Sequence, residues 1–135
     1  MAFSKREHMQ LLYGRKQKTV LIIEDDQKVA LGLAIRVKAA GYEAIMAHDA
    51  LSGVRSAVKT RPELVLLDIS MPAGNGFIVA ERIHRNISSR LPIIFLTASR
   101  HPEFRQKAEE LGAVAFFEKP YEPAELLSII NEALA

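Results

Sequence analysis

Cysteine is absent from this sequence. Disulfides, thiol catalysis and thiolate metal sites are therefore excluded, and the expected location is the cytoplasm, which the absence permits. No apolar run approaches the length of a membrane-spanning helix, and the N-terminus carries no signal-peptide core. Residues 19–135 contain no internal repeat and no linker. There are 135 residues with 49% hydrophobic content, enough for one well-filled core and too few for two ordinary domains.

Net charge is small as well, at +2. Residues 1–18 hold five basic residues (Lys5, Arg6, Arg15, Lys16, Lys18) and one acid, Glu7, giving +4. Residues 19–135 then carry 13 basic and 15 acidic groups, giving −2. The high pI is thus assigned to a basic leader at 1–18. The domain at 19–135 is expected to lack a basic face and to bind no nucleic acid directly. Within the leader, residues 8–13 fit a short helix that Gly14 and the lysines after it break.

The most informative stretch is 64–76, LVLLDISMPAGNG. Leu64 to Leu67 run without alternation, the pattern of a strand buried on both faces in a parallel sheet. The run stops at Asp68. A carboxylate that ends such a strand lies at the sheet's carboxyl edge, where open α/β sheets bind ligands, although alone it reads as a turn cap. Similar runs span 19–23, ending in Glu24-Asp25-Asp26, then 92–96, ending at Thr97, and 114–117, ending in Glu118-Lys119-Pro120. A shorter strand is expected over 43–47.

Helical spacing predicts helices in the intervals. One covers 27–40 with Val29, Leu33, Ile35, Val37 and Ala40 at helical spacing, and Gly41 ends it. A second opens at His48-Asp49 and stops before Pro62. A third covers 77–87 with Ile78, Val79 and Ile83 inward, and a fourth covers 102–111, closed by Gly112. The last starts at Pro123, with Leu126, Leu127, Ile129, Ile130 and Leu134 on its apolar face. Five strands alternating with five helices predict a single α/β domain, a parallel sheet covered on both faces.

Four of the strands thus end in Glu24-Asp25, Asp68, Thr97 and Lys119, which would gather on one edge. Two carboxylates about 4 Å apart repel by about 4 kcal/mol at an effective dielectric of 20. Either one of the three acids takes up a proton or a cation sits among them. Lys119 supplies one positive charge, too few for three acids. A hard divalent cation with oxygen ligands fits the remainder, and Mg²⁺ suits a site that also receives phosphate.

The pieces VLIIEDD, LVLLDISMPAGNG, FLTAS and FFEKP, in that order, make residues 19–135 resemble the receiver domain of two-component response regulators. The resemblance implies a flavodoxin-like (βα)5 fold, doubly wound around a five-stranded parallel sheet of order 2-1-3-4-5. It implies that Asp68 is the phosphoacceptor, that Asp25 binds Mg²⁺ directly, and that Glu24 assists, often through water. Ser70 falls where a backbone carbonyl completes the metal shell. Thr97 matches the hydroxyl that reaches the phosphoryl group, and Lys119 the cation that pairs with it. Phe116 falls at the switch aromatic, and Pro120 implies a cis Lys119-Pro120 bond. Asp26 acquires no role. The implied partners are a sensor histidine kinase or phosphotransfer protein, a downstream output protein or an output domain outside these residues, and a phosphorylation-dependent homodimer. No membrane partner is implied, and the output face is the fourth helix, fifth strand and fifth helix.

Other readings fare less well. A haloacid dehalogenase-type phosphatase also uses Asp, Thr, Lys and Mg²⁺, but needs an aspartate where Ser70 stands and a cap domain. A phosphorylation-independent interaction domain predicts loss of Asp68, Lys119 or the acidic pair, and all are present. A flavodoxin-like cofactor carrier needs a hydroxyl- and glycine-rich loop where Glu24-Asp25-Asp26 would repel a phosphate. His48, His84 and His101 lack ligand spacing and read as surface histidines. Gly74-Asn75-Gly76 is followed by no Gly-Lys-Ser/Thr, so it reads as a turn. Ser99, Arg100 and His101 depart from the acidic loop often found after the family's threonine.

Overall fold

The computed structural model describes residues 2, 4, 5, 7, 17–70 and 75–135. The short helix expected at 8–13 lies outside the described residues. The chain alternates β1 (Thr19–Ile23), α1 (Gln27–Ala39), β2 (Glu43–Ala47), α2 (Ala50–Thr60), β3 (Leu64–Asp68), α3 (Gly76–Asn86), β4 (Ile93–Thr97), α4 (Pro102–Glu110), β5 (Ala115–Glu118) and α5 (Pro123–Leu134). All strand pairs are parallel and the order is β2-β1-β3-β4-β5. This is the expected doubly wound sheet.

The strands are unbroken apolar runs because each has a helical layer on either face. Leu21 and Ile23, Val65 and Leu67, and Ile93 and Phe95 join Ala57 of α2, Phe77, Val79, Ala80 and Ile83 of α3 and Ala108 of α4. The alternate residues Val20 and Ile22, Leu64 and Leu66, and Ile94 and Leu96 meet Ala30, Leu33, Ala34 and Val37 of α1 and Leu126, Ile130 and Leu134 of α5. Phe116 packs against the first layer and Phe117 against the second, the expected alternation.

Two helix faces turn out rotated from expectation. Ile35 and Ile78 are exposed. The faces against the sheet are instead Ala30, Leu33, Ala34 and Val37 in α1, and Gly76, Phe77, Val79, Ala80 and Ile83 in α3. Small residues let these helices approach the sheet closely, and the bulky isoleucines, at about 100° per residue from them, point away. The last two strands also begin one residue later than expected, at Ile93 and Ala115, leaving Val114 exposed.

The expectation that the domain lacks a basic face is corrected by where its cations fall. Residues 50–61 and 76–91 hold Arg55, Lys59, Arg61, Arg82, Arg85 and Arg90 against one acid, Glu81, which makes +5. The remainder of 19–135 carries seven basic and fourteen acidic groups, which makes −7. The small net charge conceals a segregation, since α2 and α3 lie side by side on one layer.

Candidate functional site

Strand register brings the expected residues to one edge. Ile23 is level with Leu67, so Glu24 comes level with Asp68; Asp68 is level with Leu96, and Thr97 with Glu118. Lys119 therefore follows one step beyond. Glu24, Asp68 and Lys119 continue the alternation of the strand residues that face α1 and α5, whereas Thr97 continues that of Ile93 and Phe95 on the other layer.

Glu24, Asp25 and Asp68 each offer a carboxylate oxygen within 4.8 Å of the others. Glu24 is only 2% exposed, and Asp68 is buried as well. Burial, and then the neighbouring Asp68 carboxylate, push the pKa of Glu24 above the usual range, while a bond from Lys119 pulls the other way. Lys119 Nζ donates to Glu24 Oε1 at 2.9 Å. Burial alone would lower the lysine's pKa, but Glu24 and the charge of Asp68 outweigh it and the net shift is upward, so the ammonium stays charged. The Glu24 carboxylate, and burial after it, also raise Asp25.

The backbone N–H of Ser70 donates to Asp68 Oδ1 at 2.9 Å and fixes that oxygen. The Ser70 hydroxyl lies 2.9 Å from the Thr97 hydroxyl, which also accepts from the Ser99 N–H at 3.0 Å. Thr97 is completely buried and its hydroxyl is already committed. Its carbonyl accepts from the Lys119 N–H at 2.7 Å, and the Lys119-Pro120 bond is cis, as the resemblance implied. Phe116 is half-buried, with the Arg105 guanidinium 4.9 Å from its ring centroid. Arg105 and Arg100 both reach Glu118, at 3.7 and 3.9 Å.

Several residues acquire roles that sequence reasoning missed. Asp26 caps α1, accepting from the N–H groups of Lys28 and Val29 at 2.9 and 3.1 Å. An aspartate just before a helix was the available signal. The His48 ring bonds the Glu24 carbonyl at 3.1 Å and ties the start of α2 to the acidic edge. His84 bonds the Leu91 carbonyl at 3.0 Å, and His101 caps α4, so all three histidines are structurally occupied. Gly76 sits where a Cβ would lie 2.7 Å from Ile69 Cα and 2.9 Å from the Asp68 carbonyl oxygen. Nothing local in the sequence signals the Ser70–Thr97 contact, which spans two loops.

The donor set consists of hard oxygens, with one nearby cation against three acids among the described residues, and this suits a small divalent cation such as Mg²⁺. The same edge presents a buried carboxylate, an ammonium and a hydroxyl to any incoming oxyanion.

The family model described as the response regulator receiver domain matches residues 20–131. The phosphate regulon transcriptional regulatory protein PhoB of Pseudomonas aeruginosa is 31% identical over 118 residues, covering 87% of this chain and 52% of that protein. The probable transcriptional regulator ycf27 of Galdieria sulphuraria is 36% identical over 112 residues, covering 83% and 43%. The chain thus spans about half the length of the curated relatives it matches. Among solved structures, a CheY-like receiver domain protein from Methanospirillum hungatei superposes with a TM-score of 0.83 at 28% identity, covering 88% and 94% of the two chains. The non-phosphorylated HemR receiver domain from Leptospira biflexa gives 0.81 at 30% identity, covering 88% and 95%.

Proposed function

The chain belongs to the receiver domain family of two-component response regulators, and from that premise we propose that Asp68 accepts the phosphoryl group. The observation that carries this reading is the buried Asp68 carboxylate at the end of β3, with Glu24 and Asp25 within 4.8 Å and Lys119 bound to Glu24. The domain is a regulatory phosphoacceptor and not a classical enzyme.

An Asp68 oxygen attacks the phosphorus of a phosphohistidine on a sensor kinase or phosphotransfer protein. The bond from phosphorus to the donor nitrogen breaks, its electron pair leaves with the imidazole, and an aspartyl phosphate forms. The Ser70 N–H holds Oδ1, which leaves Oδ2 to attack. Lys119 exchanges Glu24 for a phosphoryl oxygen. Glu24, Asp25, Asp68 and the Ser70 carbonyl would hold Mg²⁺, which when bound supplies the positive charge that lets a carboxylate meet a phosphate.

The product adds about −1.5 to −2 charges at Asp68. The Thr97 hydroxyl then leaves Ser70 for a phosphoryl oxygen. Phe116, on the same layer of the sheet, moves inward from beneath Arg105 and alters the α4–β5–α5 face. That face controls an output, in a partner or elsewhere in a longer chain, and a phosphorylation-dependent homodimer is one form it takes. The setting is cytoplasmic, with residues 19–135 as the receiver domain and 1–18 as a basic leader.

Acetyl phosphate with Mg²⁺ should add one phosphoryl group, read by mass spectrometry, and Asp68→Asn should take none. Thr97→Ala should still be labelled, but its amide shifts over Pro102–Glu110 and Ala115–Glu118 should be much smaller than those of the parent. Persistent labelling of Asp68→Asn refutes the acceptor assignment, and equal shifts in Thr97→Ala remove Thr97 from transmission.

A further inference from the structure

Along α2 and α3 four cations, Arg55, Lys59, Arg82 and Arg85, stand against one acid, Glu81, and none of them has a part in the chemistry above. On α2, Leu51, Arg55, Val58 and Lys59 recur at three- and four-residue spacing and form one exposed stripe. On α3, Ile78, Arg82 and Arg85 do the same. Leu51, Val58 and Ile78 are 59%, 41% and 48% exposed. Among the described residues, none of Arg55, Lys59, Arg61, Arg82, Arg85 or Arg90 makes an ion pair. The flanking acids Asp49 and Glu63 accept from the N–H groups of Ser52 and Thr19 and pair with none of these cations.

The simplest alternative is that cations gather at helix C-termini to offset the macrodipole. That accounts for Lys59 and Arg85, in the last turns. It does not account for Arg55 and Arg82, which sit in mid-helix, nor for exposed leucine and isoleucine beside them.

We propose that the outer face of α2 and α3 is a docking surface for an acidic, amphipathic helix of a partner protein. The charge calls for an acidic partner, and the interleaved apolar residues call for one that also offers an apolar stripe. A helix laid along two parallel helices presents both together, its apolar anchors at three- and four-residue spacing and its acids on the flanks. Nucleic acid matches less well. The face offers three aliphatic side chains and no aromatic on which a base could stack. A duplex or an anionic membrane extends beyond the two helices onto the −7 remainder of the domain, which repels it, whereas a single helix stays on the face.

The test uses the full chain and a fluorescent peptide of about 20 residues, long enough for five helical turns, with leucines on one face and glutamates on its flanks. Its comparators are a scrambled peptide of equal composition, a DNA duplex and anionic phospholipid vesicles. The amphipathic peptide should bind in a salt-sensitive manner and perturb amides only within residues 50–61 and 76–91. The double substitution R55E/R82E, at exposed positions, should weaken binding about tenfold or more without lowering the thermal midpoint. Equal binding of the scrambled peptide, perturbation outside the two helices, or indifference to R55E/R82E would overturn the proposal. Tighter binding of the duplex or the vesicles overturns it in favour of a phosphate-bearing ligand.

Discussion

Around Glu24 three influences compete. Burial and Asp68 oppose its ionisation, and the Lys119 ammonium at 2.9 Å favours it. Asp25 adds a further acid from the exposed side, at a cost of about 1 kcal/mol for charges at this separation in a water-like dielectric. Asp25→Asn should therefore raise the metal-free thermal midpoint, by about 3 °C for a domain of this size. Added Mg²⁺ should stabilise the parent progressively through mass action and leave Asp25→Asn almost unmoved. A calorimetric scan in which the variant melts lower, or responds fully to Mg²⁺, would remove Asp25 from the metal site. The same economy operates at Thr97, whose buried hydroxyl is satisfied by Ser70 and Ser99 before any phosphate arrives.

Elements position these residues through close approach as much as through register. The first turn of α3 sits so near the end of β3 that a Cβ at Gly76 would meet backbone, Ile69 Cα at 2.7 Å and the Asp68 carbonyl at 2.9 Å. Backbone cannot yield as a side chain does. Gly76→Ala is expected to cost about 2 kcal/mol and to displace the Asp68 peptide. Gly53 in α2 offers a control, since the atoms nearest its Cβ belong to a side chain, that of Ile23, with Cδ1 at 2.8 Å. Gly53→Ala should cost less, about 1 kcal/mol, because a side chain, even the buried one of Ile23, gives way more readily than backbone. Urea titrations of the two variants compare them directly, and a costlier Gly53→Ala would contradict the close-approach argument.

At the scale of the whole molecule, β3 is shared by both helical layers. Leu66 faces α1 and α5, whereas Leu67 faces α2, α3 and α4, and both are fully buried. Leu66→Ala and Leu67→Ala should each cost about 3 kcal/mol. Each should leave a single unfolding transition with an unchanged urea dependence, because neither layer keeps a core once the sheet goes. Separate melting of the two layers by amide exchange would refute a single cooperative unit.

The sequence by itself determined the strands, the alternation of elements, the sheet order through the resemblance, and the residues gathered at its carboxyl edge. A strand covered on both faces needs an unbroken apolar run, so the polar residue that ends it stands out. Local periodicity could not determine which face of a helix meets the sheet, and Ile35 and Ile78 turned outward because alanines and glycine allow the closer approach. Nor could it determine the Lys119–Glu24 and Ser70–Thr97 pairs, 95 and 27 residues apart along the chain. Those contacts depend on the register of parallel strands joined by crossovers. The basic face was decided in the same way: net charge sums over the chain without regard to place, and only the packing of α2 beside α3 puts its cations on one surface.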